Sequence, residues 1–398
     1  MAGVLEGIRV LDFGRHIAGP FVGTMLGDFG AEVIRIEKLT GSEDRFTTPV
    51  GKDEAGHVGA LFLQMNRNKK GMTLNPRTPE GAEVVKRLVE TSDVVIANVP
   101  QETLEAMGID YDSLKAIKPD IIFATASAFG SIGPYAQKVG FDGVAQAMCG
   151  NMHLSGPEDT PVKAWTPWVD FGTALSVTTG VLAALLERNK TGKGQKVEGT
   201  LLGTSMVFTG STLIEQAIIE PDRVGSGNRG QTAGPIDSYQ TKDGWILVQV
   251  VGQPLYERWV RLMGNEDYWL NDPKFADDLK RGENGAEISA RMQEWCSQYS
   301  TEEAIELLAK ARIPTGEILS PRKLLQNEHV NNAPFLQRLD YPGVDKPVPI
   351  AEAPVRMHGN PAKIRHRAPQ LGEHTDEVLT SLGYSVDDIA NLREKRAV

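Results

Sequence analysis

The chain has little from which to build a metal or redox centre. Its 398 residues include only two cysteines, Cys149 and Cys296, too far apart for a metal-ligand spacing. That suits a reducing compartment and leaves no disulfide framework. No zincin His-Glu-x-x-His, Walker lysine loop or Gly-x-Ser-x-Gly elbow occurs, so none of those chemistries has a sequence basis here. The seven histidines are dispersed, and His374 reads as a capping and packing residue at a helix start. No metal and no permanently bound cofactor are expected. Cations are in deficit, 42 Lys and Arg against 52 Asp and Glu, for a net charge of −10. Nucleic acid and anionic membrane surfaces are therefore poor partners. The start carries no basic stretch followed by an apolar one, and nowhere do about 18 uncharged apolar residues run together. A cytoplasmic protein is expected.

At this length two domains are the default. Ile8–Phe13 reads as a strand, Ala18–Phe29 as a helix with Pro20 in its first turn, and Ala31–Glu37 as a second strand. Strand, helix and strand within about 30 residues make a βαβ unit with parallel pairing. Gly71–Asn75 reads as a strand and Thr78–Thr91 as a helix, and Asp93–Ala97 and Asp120–Ala126 continue the pattern as near-continuous apolar runs. The fold class is thus α/β, a Rossmann-like large domain whose ligand lies beyond the carboxyl ends of its strands. Farther on come a strand over Gln195–Glu198, an apolar helix over Leu201–Ile219, and a loop, Gly225–Gly234, with four glycines. A hairpin over Ser238–Val251 and charged amphipathic helices then suggest a smaller α+β domain over 235–325. Extended segments near 336–341 and 347–357 and two short helices, near 374–382 and 385–394, complete the pattern.

The stretch Trp165–Arg188 organises the rest. From Thr173 onward small and apolar residues dominate, and formal charge returns only at Glu187 and Arg188, which predicts a buried helix. Asp170 stands just before it. There it can cap the orphan amides, or it can be a carboxylate at the mouth of a buried helix that attacks an acyl group. Local sequence leaves both open.

The first βα turn, Gly14-Arg-His-Ile-Ala-Gly19, sits where a phosphate loop would, and Glu37 where a ribose-binding acid would. The turn lacks the middle glycine of the dinucleotide pattern. Arg15 and His16 at a helix start suit an anion instead. Asn66-Arg-Asn-Lys-Lys-Gly71 is a basic cluster in an acidic protein, and with Lys38, Arg77 and Lys138 it fits a ligand with several phosphates.

Taken in order, these segments resemble the class III CoA transferases, the carnitine CoA-transferase and formyl-CoA transferase family. The match runs through Leu5-Glu-Gly-Ile-Arg-Val-Leu-Asp12, Ala18-Gly-Pro-Phe21, Leu26–Lys38, Asn66–Lys70, Gly140-Phe-Asp-Gly-Val-Ala-Gln-Ala147, Asp170 with its helix through Thr191-Gly-Lys-Gly-Gln195, Thr241–Gly244 and Leu371-Gly-Glu-His-Thr375. The resemblance implies a CoA transferase moving CoA from an acyl-CoA thioester to a carboxylic acid, with Asp170 as the nucleophile that carries an anhydride and then a CoA thioester. It also implies CoA contacts from Arg15, Ile17, Ala18, Lys38, Leu74, Asn75, Arg77, Asn98, Val99 and Lys138. An interlocked homodimer is implied as well, connected through segments near 195–235 and 326–340, with a discontinuous large domain over 1–225 and 326–398.

Three departures refine this. Ala106 stands where some members carry an arginine. The glycine-rich lid of formyl-CoA transferase is matched only loosely by Gly225–Gly234, which weakens formyl-CoA and oxalate as substrates. The racemases of the same fold, the alternative function, place a histidine where this chain has Phe141-Asp142. A non-catalytic CoA- or dinucleotide-binding module is the third reading. The sequence is similar to the succinyl-CoA:dicarboxylate branch through Asn66–Lys70, Met107-Gly108 and Ser155-Gly-Pro-Glu158, with Arg229, Arg45 or His153 as candidates to meet the distal carboxylate.

Overall fold

Six short runs, apolar on both faces at the centre, as in Val94–Ala97, and carrying lysine at the two edges, Lys69–Thr73 and Lys196–Thr200, form one parallel sheet. They are β1 (Arg9–Asp12), β2 (Glu32–Glu37), β3 (Lys69–Thr73), β4 (Val94–Ala97), β5 (Ile122–Ser127) and β6 (Lys196–Thr200). In the computed structural model, which describes residues 3–398, their order is β3-β2-β1-β4-β5-β6 with every pair parallel. That is the doubly wound order, which reverses direction between β1 and β4. Alternation sends neighbouring side chains into opposite cores. Leu11 packs with Val84, Leu88 and the C-terminal Val378, Leu379 and Leu392. Val10 packs instead with Val22, Met25 and Leu26 of α1 (Ala18–Asp28) and with Val177 and Val181.

The chain divides into two units. One comprises residues up to Cys149, Ala164–Ser211 and His329–Val398; the other comprises Gly150–Lys163 and Thr212–Glu328. Residues 150–163 and 212–225 thus fall with the second unit rather than with the sheet. In the second unit β7 (Ile236–Gln240) and β8 (Trp245–Gln249) form an antiparallel hairpin, and β9 (Thr315–Glu317) pairs with β8. Trp259, Met292 and Leu308 fill the core beside that sheet.

Three helices frame the region around Asp170: α2 (Asp142–Met148), α3 (Trp168–Thr191) and α4 (Leu201–Phe208). Two expectations are corrected here. The apolar stretch 201–219 is two helices, because Thr209 ends α4 and turns its hydroxyl to the Cys149 carbonyl at 3.1 Å; the next helix runs Gly210–Ile219. Nor is α3 buried all round. Its buried residues, among them Val177, Val181 and Leu185, form one stripe, whereas Leu186 is 65% exposed. Burial of each such side chain contributes about 1.5–3 kcal/mol, so Val181→Ala would loosen α3 from α1. The helix is long and apolar enough to cross a membrane by length and composition, and half of its most apolar stretch is buried within the fold. It stops at Gly192, whose left-handed φ of 68° lets its N–H reach the Arg188 carbonyl at 2.7 Å.

Candidate active site

Asp170 is not a cap. Helix α3 begins two residues before it, at Trp168, with Pro167 in the cap position and no side-chain cap of its own. The missing acceptor comes from a different helix. Asp142, buried at the start of α2, accepts the N–H of Val169 at 2.8 Å and that of Asp170 at 3.1 Å through Oδ2. Its other oxygen accepts from Gln146, whose side-chain oxygen accepts the N–H of Ala164 at 3.0 Å. The chain on either side of Trp165 is therefore fastened to α2. Asp170 is half-buried, and among the described residues its own carboxylate receives no hydrogen bond. Burial first, and the adjacent Asp142 charge second, push its pKa up to about 7. A carboxyl group so placed is poised between its two protonation states near neutrality and has both oxygens free to react.

The first βα turn lies beside this pair. Gly14 donates to Asp12 Oδ1 at 2.8 Å. Asn98, just past β4, accepts the Arg15 N–H at 2.6 Å and donates to the Arg15 carbonyl at 3.0 Å. A side chain at Gly19 would bring a Cβ to 2.7 Å from Asn98 Oδ1, so glycine there is what permits the clamp. The Arg15 guanidinium folds back onto the carbonyls of Phe13 and Gly14 at 2.9 and 2.7 Å. Beyond the carboxyl ends of β1 to β4 opens a cavity of about 520 Å³, whose walls include Arg15, Lys38, Leu74, Asn75, Arg77 and Val99. A larger cavity, about 1080 Å³, lies at the opposite, amino-terminal ends of the strands. Its charges answer one another, Arg9 to Glu32 at 2.6 Å and Lys70 to Glu32 and Glu377 at 2.8 Å each. The smaller cavity is the one at the strand ends where doubly wound sheets hold ligands.

A sequence profile described as CoA-transferase family III matches residues 5–375. The chain belongs to CoA-transferase family III. It is 31% identical over 401 residues to the succinyl-CoA–D-citramalate CoA-transferase of Chloroflexus aurantiacus, spanning 99% of this chain and 98% of that one. It is 28% identical over 376 residues to the succinyl-CoA:glutarate CoA-transferase of Homo sapiens, spanning 94% and 85%. The crystal structure of a CaiB/BaiF family protein from Brucella suis superposes with a TM-score of 0.84 at 30% identity, covering 96% of this chain and all of that one.

Within this family III transferase, six of the ten expected CoA contacts line the strand-end cavity: Arg15, Lys38, Leu74, Asn75, Arg77 and Val99. Asn98 stands behind Arg15, with both ends of its amide engaged. Ile17 and Ala18 are buried where α1 begins, and α1 has no side-chain cap. Lys138 is not in the cavity; it is exposed, with its ammonium 3.7 Å from the centre of the Tyr135 ring.

The basic cluster is corrected outright. Arg67 pairs with Asp28 at 2.7 Å, Lys69 with Asp12 at 2.7 Å, and Lys70 with two glutamates. Residues 66–70 precede or begin β3, the wrong end of the strand for the ligand. Glu37 is likewise no ribose acid: Arg45 and the Ser42 amide take its oxygens. Against the upward push of burial, Arg45 holds its carboxyl below the usual range. The same pair removes Arg45 from the candidates for the distal carboxylate, since it is fully buried. Arg229 and His153 belong to the second unit. Sequence reasoning missed Asp142 as a structural partner of Asp170. Its place in Gly-Phe-Asp-Gly, opening a predicted helix, was the available signal.

Proposed function

We propose that this transferase moves CoA between an acyl-CoA and a dicarboxylic acid, with Asp170 carrying the cargo. The observation that carries this reading is a half-buried carboxylate, free of hydrogen bonds among the described residues and with a pKa of about 7, in the first turn of α3. Partial desolvation makes a carboxylate a stronger nucleophile, and a helix start favours its anion. The relatives named as acting on succinyl-CoA and a dicarboxylate supply the substrate class.

The chemistry balances in four steps. An Asp170 oxygen attacks the thioester carbonyl carbon, the C–S bond breaks, and CoA leaves as thiolate from a mixed anhydride. The thiolate attacks the Asp170 carbonyl carbon, releasing the donor's acid as carboxylate and leaving an aspartyl-CoA thioester. The acceptor carboxylate attacks that thioester, forming a second anhydride and freeing the thiolate again. The thiolate then attacks the acceptor's acyl carbon and restores the Asp170 carboxylate. Uncapped amides at the start of α1 are suited to the oxyanions formed on the way. In this reading CoA lies in the strand-end cavity, with Arg15, Lys38 and Arg77 near its phosphates and Leu74 and Val99 against its apolar parts. Ile17, Ala18 and Asn98 shape the turn.

The protein is taken to work as a homodimer in the cytoplasm. Supporting the dimer, Ile214, Ile218 and Ile219 of the helix Gly210–Ile219 are exposed by 64–76%, apolar side chains of the kind a partner surface covers.

Mixing the enzyme with succinyl-CoA alone and measuring intact mass tests the mechanism. A covalent increment on the wild type, mapped to Asp170 and missing from Asp170→Ala, is expected. Full transferase activity in Asp170→Ala would overturn it.

A further inference from the structure

We propose that His16 selects dicarboxylic acyl groups, its imidazole donating to the carboxylate at the far end of the chain bound at Asp170. This rests on Asp170 being the acyl carrier.

His16 occupies the turn between β1 and α1, exposed to solvent, with φ at +59°. Only a few per cent of non-glycine residues take that left-handed conformation, histidine more readily than most, and a local framework keeps it there. Here the fixing is visible on both sides. Asn98 clamps the preceding peptide through two hydrogen bonds to Arg15, and Ile17, which follows, is buried. The turn therefore holds the imidazole out at one place instead of letting it retreat.

That place is beside the Asp170 site. The His16 ring meets Phe141 edge-on, with centroids 5.8 Å apart. Phe141 immediately precedes Asp142, whose Oδ2 holds the Asp170 amide. One turn farther along α1, Phe21 meets Phe171, the residue after Asp170, at 5.1 Å. The starts of α1 and α3 thus lie side by side, with His16 at the junction. Among the described residues neither of its ring nitrogens has a hydrogen-bond partner. Of the other basic groups nearby, Arg35 is held on Asp44 at 2.8 Å and Lys69 on Asp12 at 2.7 Å, and Arg15 lines the strand-end cavity. In a short dicarboxylic acyl group the far carboxylate sits a few methylenes from the reacting carbon. The group that reads it must therefore flank the nucleophile, as His16 does. Phe141, 68% exposed, offers an apolar wall for the methylenes between.

The test lets succinate and butyrate, equal in length, compete for CoA from succinyl-CoA in one tube, with product esters read by mass. For His16→Asn, which tolerates the same φ, the succinyl-to-butyryl ratio measured with labelled succinate should fall about ten- to a hundredfold, the range set by losing one hydrogen bond to a charged group. An unchanged ratio with turnover retained overturns the proposal, as does a wild type with no preference for the diacid. A second measurement needs no variant. Succinate, but not butyrate, should protect His16 of the wild type from diethyl pyrocarbonate, with the other histidines as internal controls. Equal modification with and without succinate would also overturn it. Failure of the Asp170 reading is distinguishable, because it shows as a missing wild-type adduct whatever residue 16 is.

Discussion

Asp142 Oδ2 and the backbone N–H of Asp170 meet at 3.1 Å, so one carboxylate caps the helix that carries another. The cap fixes where Asp170 stands, and its charge raises the cost of ionising it. The position of the proposed nucleophile, and part of its acidity, thus depend on a single side chain.

Asp142→Asn should separate these effects. An amide oxygen can still accept from the helix start, while the negative charge is gone. Asp170 reacts as a carboxylate, so its reactive fraction declines below a pKa of about 7. Burial, the larger cause of the upward shift, remains in the variant; the Asp142 charge, the second cause, does not. The acid limb of kcat/KM should therefore move to lower pH without reaching that of a free aspartate. A limb that stays in place in a pH–rate profile would contradict this.

Stability should show the opposite side of the same shift. A carboxyl group whose folded pKa exceeds its unfolded value stabilises at low pH, and this is lost as pH rises through the folded value. For Asp170 the loss builds from near 3.8 to about 7 and is complete above that. Asp170→Asn has no such loss, so its gain in Tm over the wild type should be larger at pH 8 than at pH 5. Scanning calorimetry at the two pH values checks the sign, and a larger gain at pH 5 would refute it.

The sheet was legible in the chain and the ion pairs were not, for one physical reason. A strand buried on both faces announces itself locally, as Val94–Ala97 does with four apolar residues in a row. A buried cation announces only its charge. Lys69 and Asp12 are 57 residues apart, and their meeting depends on β3 and β1 flanking β2, which no local pattern encodes. The same holds for Asp142, which caps a helix 28 residues downstream of it. Asp170 stood out as an acid at the start of an apolar helix, yet its cap came from elsewhere. The turn residues Arg15 and His16 were legible because a βα connection has few shapes.

Lys69 and Lys70 should part company when replaced, although adjacent. Lys69 Nζ is buried on Asp12 at 2.7 Å and the Pro20 carbonyl at 2.7 Å, and burial, only partly offset by Asp12, draws its pKa down to about 8. Lys69→Met leaves Asp12 short of a partner and should cost about 3–5 kcal/mol. Lys70→Ala breaks partly exposed pairs with Glu32 and Glu377, worth about 1 kcal/mol or less. Urea unfolding measures both; equal losses would rule out the buried network as a source of stability.

Arg77 tests the cavity. Its guanidinium is exposed and has no ion-pair partner among the described residues, whereas Lys70, once a candidate for the same ligand, lies at the other end of the strands. Arg77→Ala should raise KM for the acyl-CoA about ten- to a hundredfold, as loss of a charged hydrogen bond to phosphate would, with kcat little changed. The effect should shrink at high salt. Lys70→Ala should leave KM alone. If Lys70→Ala raises KM and Arg77→Ala does not, the ligand lies in the amino-terminal cavity instead.

Asn98 should behave as a brace rather than a contact. Both ends of its amide are taken by the Arg15 peptide, at 2.6 and 3.0 Å, so little of it is left to touch CoA. Asn98→Ala frees the turn that aims Arg15 into the cavity and His16 at the Phe141 ring. Two properties should therefore fail together, a higher KM for acyl-CoA and a lower preference for succinate over butyrate. Arg15→Ala, which removes only the guanidinium, should affect the first and spare the second. Asn98→Asp keeps the acceptor for the Arg15 amide and loses the donor to its carbonyl, so it should fall between wild type and Asn98→Ala on both measures. A rise in KM with the diacid preference intact in Asn98→Ala would mean that His16 is held by something other than this clamp.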